Sequence, residues 1–229
     1  SGALDSNTTA SFNTAVGYNA LATNTSAADN TAVGRAALFS STGSNNTAVG
    51  KEALKNTTSG NNNTAVGRAA FLANTTGVGG VAIGANVLDA NTTGVYNTGI
   101  GFGSLGANTT GLENVAVGAF AMTANVTGQN NASLGYSALE NNTASFNTAV
   151  GHKALEANTS GEKNTAFGSR ALFSNTTASN NAAFGTEALE ENTTGTENAA
   201  FGSFSLDANT EGDANTALGF AALGGNTTA

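Results

Sequence analysis

Cysteine, proline and tryptophan are absent from this 229-residue chain, histidine and methionine occur once each, and charged residues make up only 10% of it. Each absence excludes something. Without cysteine there is no disulfide framework, no thiolate nucleophile and no cysteine-ligated metal. The seven basic residues are scattered and outnumbered by fifteen acidic ones, giving a net charge of −8. That balance leaves no electrostatic footprint for nucleic acid. No apolar run approaches the roughly 18 residues of a membrane-spanning helix, so no membrane insertion is expected.

Catalytic chemistry has little to stand on. His152 is the sole histidine and sits beside Lys153 at a variable position, whereas a general base or metal ligand needs positioned partners. Glu190, Glu191 and Asp207 fall on turns or in different repeats, with no spacing repeated for acid–base work. Neither an EF-hand loop nor the nonapeptide pattern of calcium β-rolls occurs. Gly79-Gly80 replaces a turn residue and an asparagine in one repeat, and is not a phosphate loop. The expectation is a non-enzyme with no catalytic residues, cofactor or metal.

What the chain has in abundance is repetition. The stretch Asn13-Thr14-Ala15-Val16-Gly17 recurs with its glycine at Gly17, Gly34, Gly50, Gly67, Gly84, Gly101, Gly118, Gly135, Gly151, Gly168, Gly185, Gly202 and Gly219, at intervals of 17 residues except two of 16. A short period held from end to end marks a stacked repeat. Disorder is the bland reading of so Gly-, Asn- and Thr-rich a chain, but here the apolar residues fall in fixed columns.

Two columns are always large and apolar. One precedes the glycine (Val16, Val33, through Phe201 and Leu218), and one follows it by four residues (Leu4, Leu21, through Leu206 and Leu223). Both read as core. Beside each runs a column of small residues, such as Ala15, Ala32 and Ala48, or Ala20, Ala37 and Ala53. Neighbouring residues on a strand face opposite ways, so the alanines are expected to face outward, against another subunit that requires close approach. Apolar blocks of about four residues are too short for isolated helices and suit strands. The spacing therefore predicts an all-β, parallel β-solenoid (β-roll) of about 13 coils, with two short strands per coil. It forms one repeat domain over 1–229 without distinct caps.

Two asparagine columns complete the coil. Asparagine tolerates turn conformations, and stacked amides can hydrogen-bond along a ladder. One column opens the first strand; the other follows the leucine, and eleven of its members begin Asn-x-Thr/Ser: Asn7, Asn24, Asn56, Asn74, Asn91, Asn108, Asn125, Asn158, Asn175, Asn192 and Asn226. These are candidate N-glycosylation sites, in line along one surface, although Asn-Thr-Thr-Gly is also good turn chemistry in its own right. Ice binding is a further function open to β-solenoids with a regular threonine ladder. The strand threonine column is interrupted by Val81, Val115, Ala132, Ala182 and Ala199, which argues against it.

The segment Asn-Thr-Ala-Val-Gly-Tyr-Asn-Ala-Leu-Ala-Thr-Asn-Thr-Ser (13–26) resembles the repeats of bacterial surface and phage tail-fibre-like proteins. It is more distantly similar to the heads of trimeric autotransporter adhesins. The resemblance covers nearly the whole chain and implies a parallel β-roll, in the adhesin heads with three chains around one axis. On this basis the expected function is a structural subunit of an extracellular filament or adhesive fibre on a cell surface or virion, self-associating and decorated with glycans. The alternative is the receptor-binding head or shaft of a trimeric adhesin or phage tail fibre. Ordinary repeat sequence at both ends makes Ala3, Leu4, Ala222 and Leu223 candidate residues for head-to-tail stacking.

Overall fold

The computed structural model describes residues 2–228, all of them strand, turn or irregular backbone. Two compact units divide between Asn114 and Val115. In the first, β1 (Thr14–Val16), β2 (Thr31–Val33), β3 (Thr47–Val49), β4 (Thr64–Val66), β5 (Val81–Ile83) and β6 (Thr98–Ile100) pair in sequence order. Every pairing is parallel and sets each repeat position on its counterpart, as in Ala32 on Ala48. In the second, β7 (Val115–Val117), β8 (Ala132–Leu134), β9 (Thr148–Val150), β10 (Thr165–Phe167), β11 (Ala182–Phe184), β12 (Ala199–Phe201) and β13 (Thr216–Leu218) pair the same way. This is the expected parallel β-solenoid, one coil per repeat.

Each coil holds one strand rather than two. The segment around the leucine is a run of turns, and its leucine adopts a left-handed backbone at every coil, with φ of 50° at Leu21 and 53° at Leu155. Such a conformation costs an ordinary L-residue about 1–2 kcal/mol. In return it breaks the alternation of a strand, so that two adjacent side chains, Ala20 and Leu21, both turn inward and are fully buried. Coil-to-coil hydrogen bonding continues regardless: the Leu21 N–H donates to Ala37 O at 3.0 Å, and the Leu155 N–H to Ala171 O at 3.0 Å.

The wall of the core is also inverted from the expectation for the first column. In the three-residue strands the middle residue points inward, so the buried member is the alanine, and the valine, isoleucine or phenylalanine faces out. Ala48, Ala65 and Ala166 are wholly buried, while Val49, Val66 and Phe167 remain more than a third exposed. What approaches the alanines closely is therefore the opposite wall of their own coil, not a second subunit. Two exceptions show how little room there is. Val87 stands where the column otherwise holds alanine or serine, and Gly99 on the following strand answers it; a Cβ on Gly99 would lie 2.6 Å from Val87 Cγ1. Likewise the larger Phe71 replaces leucine, and Gly80 replaces the asparagine whose side chain would collide with its ring. Interiors at this packing density transmit every added methyl group.

The corner glycine is fixed by sterics. At Gly168 φ is +139°, and a Cβ there would run into the carbonyl oxygen of Gly185 on the next coil. Only glycine fits both demands.

Both asparagine columns lie inside, where they form ladders broken only at Gly80 in the first and at Ser41 and Thr57 in the second. In the column that opens the strand, each Oδ1 accepts from the next coil's backbone, as Asn46 Oδ1 does from Asn63 N–H at 3.0 Å. In the post-leucine column Nδ2 donates twice at Asn91, Asn108, Asn158, Asn175, Asn192 and Asn209. Asn175 Nδ2 reaches Asn158 Oδ1 at 2.9 Å and Ala178 O at 3.1 Å, and its own Oδ1 accepts from Asn192 at 3.0 Å. These amides satisfy turn carbonyls that would otherwise be buried without donors.

Candidate functional site

Chemistry offered to a partner lies on the outside of the coils, because the interior is filled. The described residues enclose no pocket and contain no group of three side chains able to hold a metal ion. No helix among them is long and apolar enough to cross a membrane.

The outer face of the sheet carries two side chains per strand. One is mostly threonine, and the other is always Val, Ile, Leu or Phe. On β10, β11 and β12 the apolar column is aromatic. Phe167 and Phe184 stack with ring centroids 5.4 Å apart, and Phe184 and Phe201 at 4.9 Å, nearly parallel in both cases. Beyond the glycine corner, His152 is exposed and lies parallel to the Tyr136 ring at 5.7 Å, while Phe120 meets Tyr136 edge-on. The histidine is thus a surface side chain packed on an aromatic.

The scattered charges are tied across coils. Arg35 pairs with Glu52 at 2.7 Å, and Arg170 pairs with Glu190 while lying 4.3 Å over the Phe173 ring. Glu190 is thereby a structural partner, and Glu191 is exposed. Asp207 is half-buried, its Oδ1 with no hydrogen-bond donor. Burial raises the Asp89 carboxyl above the ordinary range, against backbone hydrogen bonds and the charge of Arg68. Backbone and hydroxyl hydrogen bonds from Thr196 lower that of Asp213.

The glycosylation column is where the structure departs most from the sequence reading. Eight of the eleven candidates, Asn24, Asn74, Asn91, Asn108, Asn125, Asn158, Asn175 and Asn192, are completely buried. Their Nδ2 atoms, which would carry the sugar, point into the ladder; Asn91 Nδ2 donates to Asn74 Oδ1 at 2.9 Å and to Gly94 O at 3.1 Å. A glycan there is incompatible with the folded coil, so for these eight the turn role replaces the expected decoration. Asn7 and Asn56 are exposed and Asn226 half-exposed. Asn56 proves not to belong to the column at all. In its coil Thr57 occupies the interior slot, its hydroxyl left without a partner, and Asn56 sits one position earlier on the surface. Produced in a glycosylating host, the folded protein should carry sugar at none of the eight buried asparagines, so that of the eleven candidates only Asn7, Asn56 and Asn226 stay open to it. A glycopeptide map placing a glycan on Asn91 or Asn175 of folded material would contradict the ladder.

Of the four residues expected at the assembly ends, Ala3, Leu4 and Ala222 are half-buried and Leu223 is 50% exposed, each with a neighbouring coil of this chain on one side only. One surface column escaped the sequence reading. The residue after every post-leucine ladder asparagine but Asn125 is threonine, and at Thr75 and Thr92 its hydroxyl donates to the next coil. Its constancy, greater than that of the strand threonines, was the available signal. Comparison with protein-family models and with curated proteins gave no match for this chain.

Proposed function

We propose that the chain is a non-enzymatic structural element of an extracellular filament or adhesive fibre, packing sideways against further copies through the outer face of its sheet. The observation that carries this reading is the unbroken outward column of Val, Ile, Leu and Phe, one per strand, with Leu134 51% and Phe201 41% exposed. Parallel sheets are ordinarily covered on both faces, and a contiguous apolar stripe on a surface marks an interaction site. A second copy suits it because its column has the same period, so that side chains of one can seat between those of the other along its length. The extracellular placement rests on the resemblance of segment 13–26 to surface and fibre repeats. A receptor-binding head or shaft would use the same lateral contact, and electron micrographs separate the readings: long uniform filaments for the first, discrete short rods for the second.

Phe184→Asp tests the contact, since the substitution lies outside the core. It should leave the far-ultraviolet spectrum unchanged and reduce the sedimenting species to a single chain. An oligomer of unaltered size would reject the sheet face as the interface.

A further inference from the structure

We infer that the threonine columns on the Asn-Thr-Thr-Gly corner of the first unit form a binding face for crystalline water, that is, for ice. The inference concerns a different surface from the proposed self-association face and does not depend on it.

The first column runs without interruption through Thr25, Thr42, Thr58, Thr75, Thr92 and Thr109. Hydroxyl groups in it are not free rotors. Thr42 Oγ1 donates to Thr58 O at 2.8 Å, Thr58 Oγ1 to Thr75 O at 3.0 Å, and Thr75 Oγ1 to Thr92 O at 3.0 Å. The same Thr92 carbonyl also accepts the N–H groups of Thr75 and Thr76, at 2.9 and 3.2 Å. Threonine has few χ1 wells, and a bond of this kind selects one of them. Each side chain is therefore held in the same orientation as the one on the next coil, methyl group included, at the strand spacing of about 4.8 Å. With its one proton committed to the next coil's carbonyl, each hydroxyl keeps its acceptor capacity for a partner outside.

Beside this runs a second column, Ser59, Thr76, Thr93 and Thr110, on consecutive coils. Thr76, Thr93 and Thr110 are exposed, and their hydroxyls make no hydrogen bond among the described residues. The turn admits threonine here, but with the hydroxyl unbonded it does not require it. Tight turns favour Gly, Asn, Asp and Ser, and a β-branched side chain brings a stiffness the turn does not use. The two columns together make an uncharged grid of hydroxyl and methyl groups, rigid in one direction and repeated coil by coil. A ligand that matches every unit of such a grid must itself be periodic, uncharged and rich in hydrogen-bonding groups. The surface lattice of ice meets this description, and a face already ordered in the free protein gives up little entropy in meeting it. In the second unit the first column is equally regular from Thr143 to Thr227, but the second holds only Ser160, Thr177 and Thr194 between Ala144 and the charge of Glu211, so the first unit carries the longer uncharged grid.

The strand threonines, broken in the sequence, are the wrong place to look for this activity. The experiment separates the two ladders using the full chain. In a nanolitre osmometer the parent protein should hold a gap between melting and freezing points and facet the seed crystal. Thr76→Tyr/Thr93→Tyr, on the corner, should abolish the gap with the circular dichroism spectrum retained. Thr93→Lys, a single exposed change, should at least halve it. Thr47→Tyr, on the sheet face, should leave it intact. A parent protein with no gap and no crystal shaping would overturn the inference. So would activity that survives in Thr93→Lys, or that is lost in Thr47→Tyr. Adsorption to microcrystalline cellulose that disappears in the tyrosine double variant, with ice growth unaffected throughout, would reassign the face to a polysaccharide and equally refute it.

Discussion

Leu139→Asp should unfold the second unit, and Leu134→Asp should not, although the same residue is changed to the same residue five positions apart. Leu139 is fully buried and Leu134 is 51% exposed. At position 139 the substitution removes the packing of a buried leucine, about 2–5 kcal/mol for truncation alone, and leaves a carboxylate in the interior with no cation. The effective penalty for such a charge is several kcal/mol more, which together exceeds the roughly 5–15 kcal/mol stability of an ordinary domain at its lower end. The damage does not stay in one coil. Leu139 N–H donates to Ala154 O and the preceding coil donates to Ala138 O, at 3.0 and 3.1 Å. Repeat arrays hold together by just such nearest-neighbour terms. At position 134 the carboxylate reaches water, and the loss is that of strand preference, up to about 1 kcal/mol. Thermal melts followed at a β-sheet wavelength decide it. Two variants that unfold alike would restore the pre-glycine column to the core, as its unvarying apolar character first suggested.

That misassignment has a physical source. The period, the parallel stacking and the buried leucines were legible because a solenoid writes each of them once per coil, and thirteen repetitions leave little to chance. Which wall faced inward depended on an assumption, that both segments of the coil alternate like strands and that larger side chains are the buried ones. Both parts fail on local grounds. Left-handed leucines such as Leu88, at φ 49°, turn two neighbours inward at once, and no sequence rule anticipates leucine there. The cross-section then has room for alanine only opposite them, as the Val87–Gly99 and Phe71–Gly80 exchanges demonstrate. Those exchanges stood in the sequence as isolated exceptions in separate columns; only the stacking of one coil on the next makes them pairs. The amide ladders were foreseeable, whereas their burial was not, since a sequon and an interior asparagine are spelled alike. The candidate surface suffered accordingly: the alanine faces withdrew into the core, the valine–phenylalanine column replaced them outside, and the turn threonines gained a role that the broken strand column had seemed to deny.

The second large effect belongs to those ladders, and it is a pH dependence. Asn175→Asp changes one NH₂ group to an oxygen in the middle of a buried chain of amides. Asn175 Nδ2 gives hydrogen bonds to Asn158 Oδ1 and Ala178 O, while Oδ1 receives one from Asn192 Nδ2. An aspartate keeps the last and loses both of the others, leaving oxygen against oxygen where two donors stood. Protonated, its hydroxyl restores one of the two bonds; ionised, it restores neither and buries a charge. Desolvation therefore raises its pKa in the folded state above the unfolded value of about 3.9. The direction of the linkage follows. Below about pH 4 the group is protonated in both states, and the variant lacks only one hydrogen bond relative to its parent, about 1 kcal/mol. As pH rises past that value the unfolded chain releases its proton while the folded chain retains it, so stability falls steadily until the folded pKa is reached. A displacement of about three units would remove about 4 kcal/mol. Asn175→Leu, which loses all three bonds and has no titrating group, should be destabilised by an amount independent of pH. The measurement is the melting-temperature difference between each variant and the parent from pH 3 to pH 8. For the aspartate variant this difference should widen with pH, and for the leucine variant it should stay level. A level difference for both would mean that the carboxylate at 175 reaches solvent, and that the ladder is not sealed inside the coil.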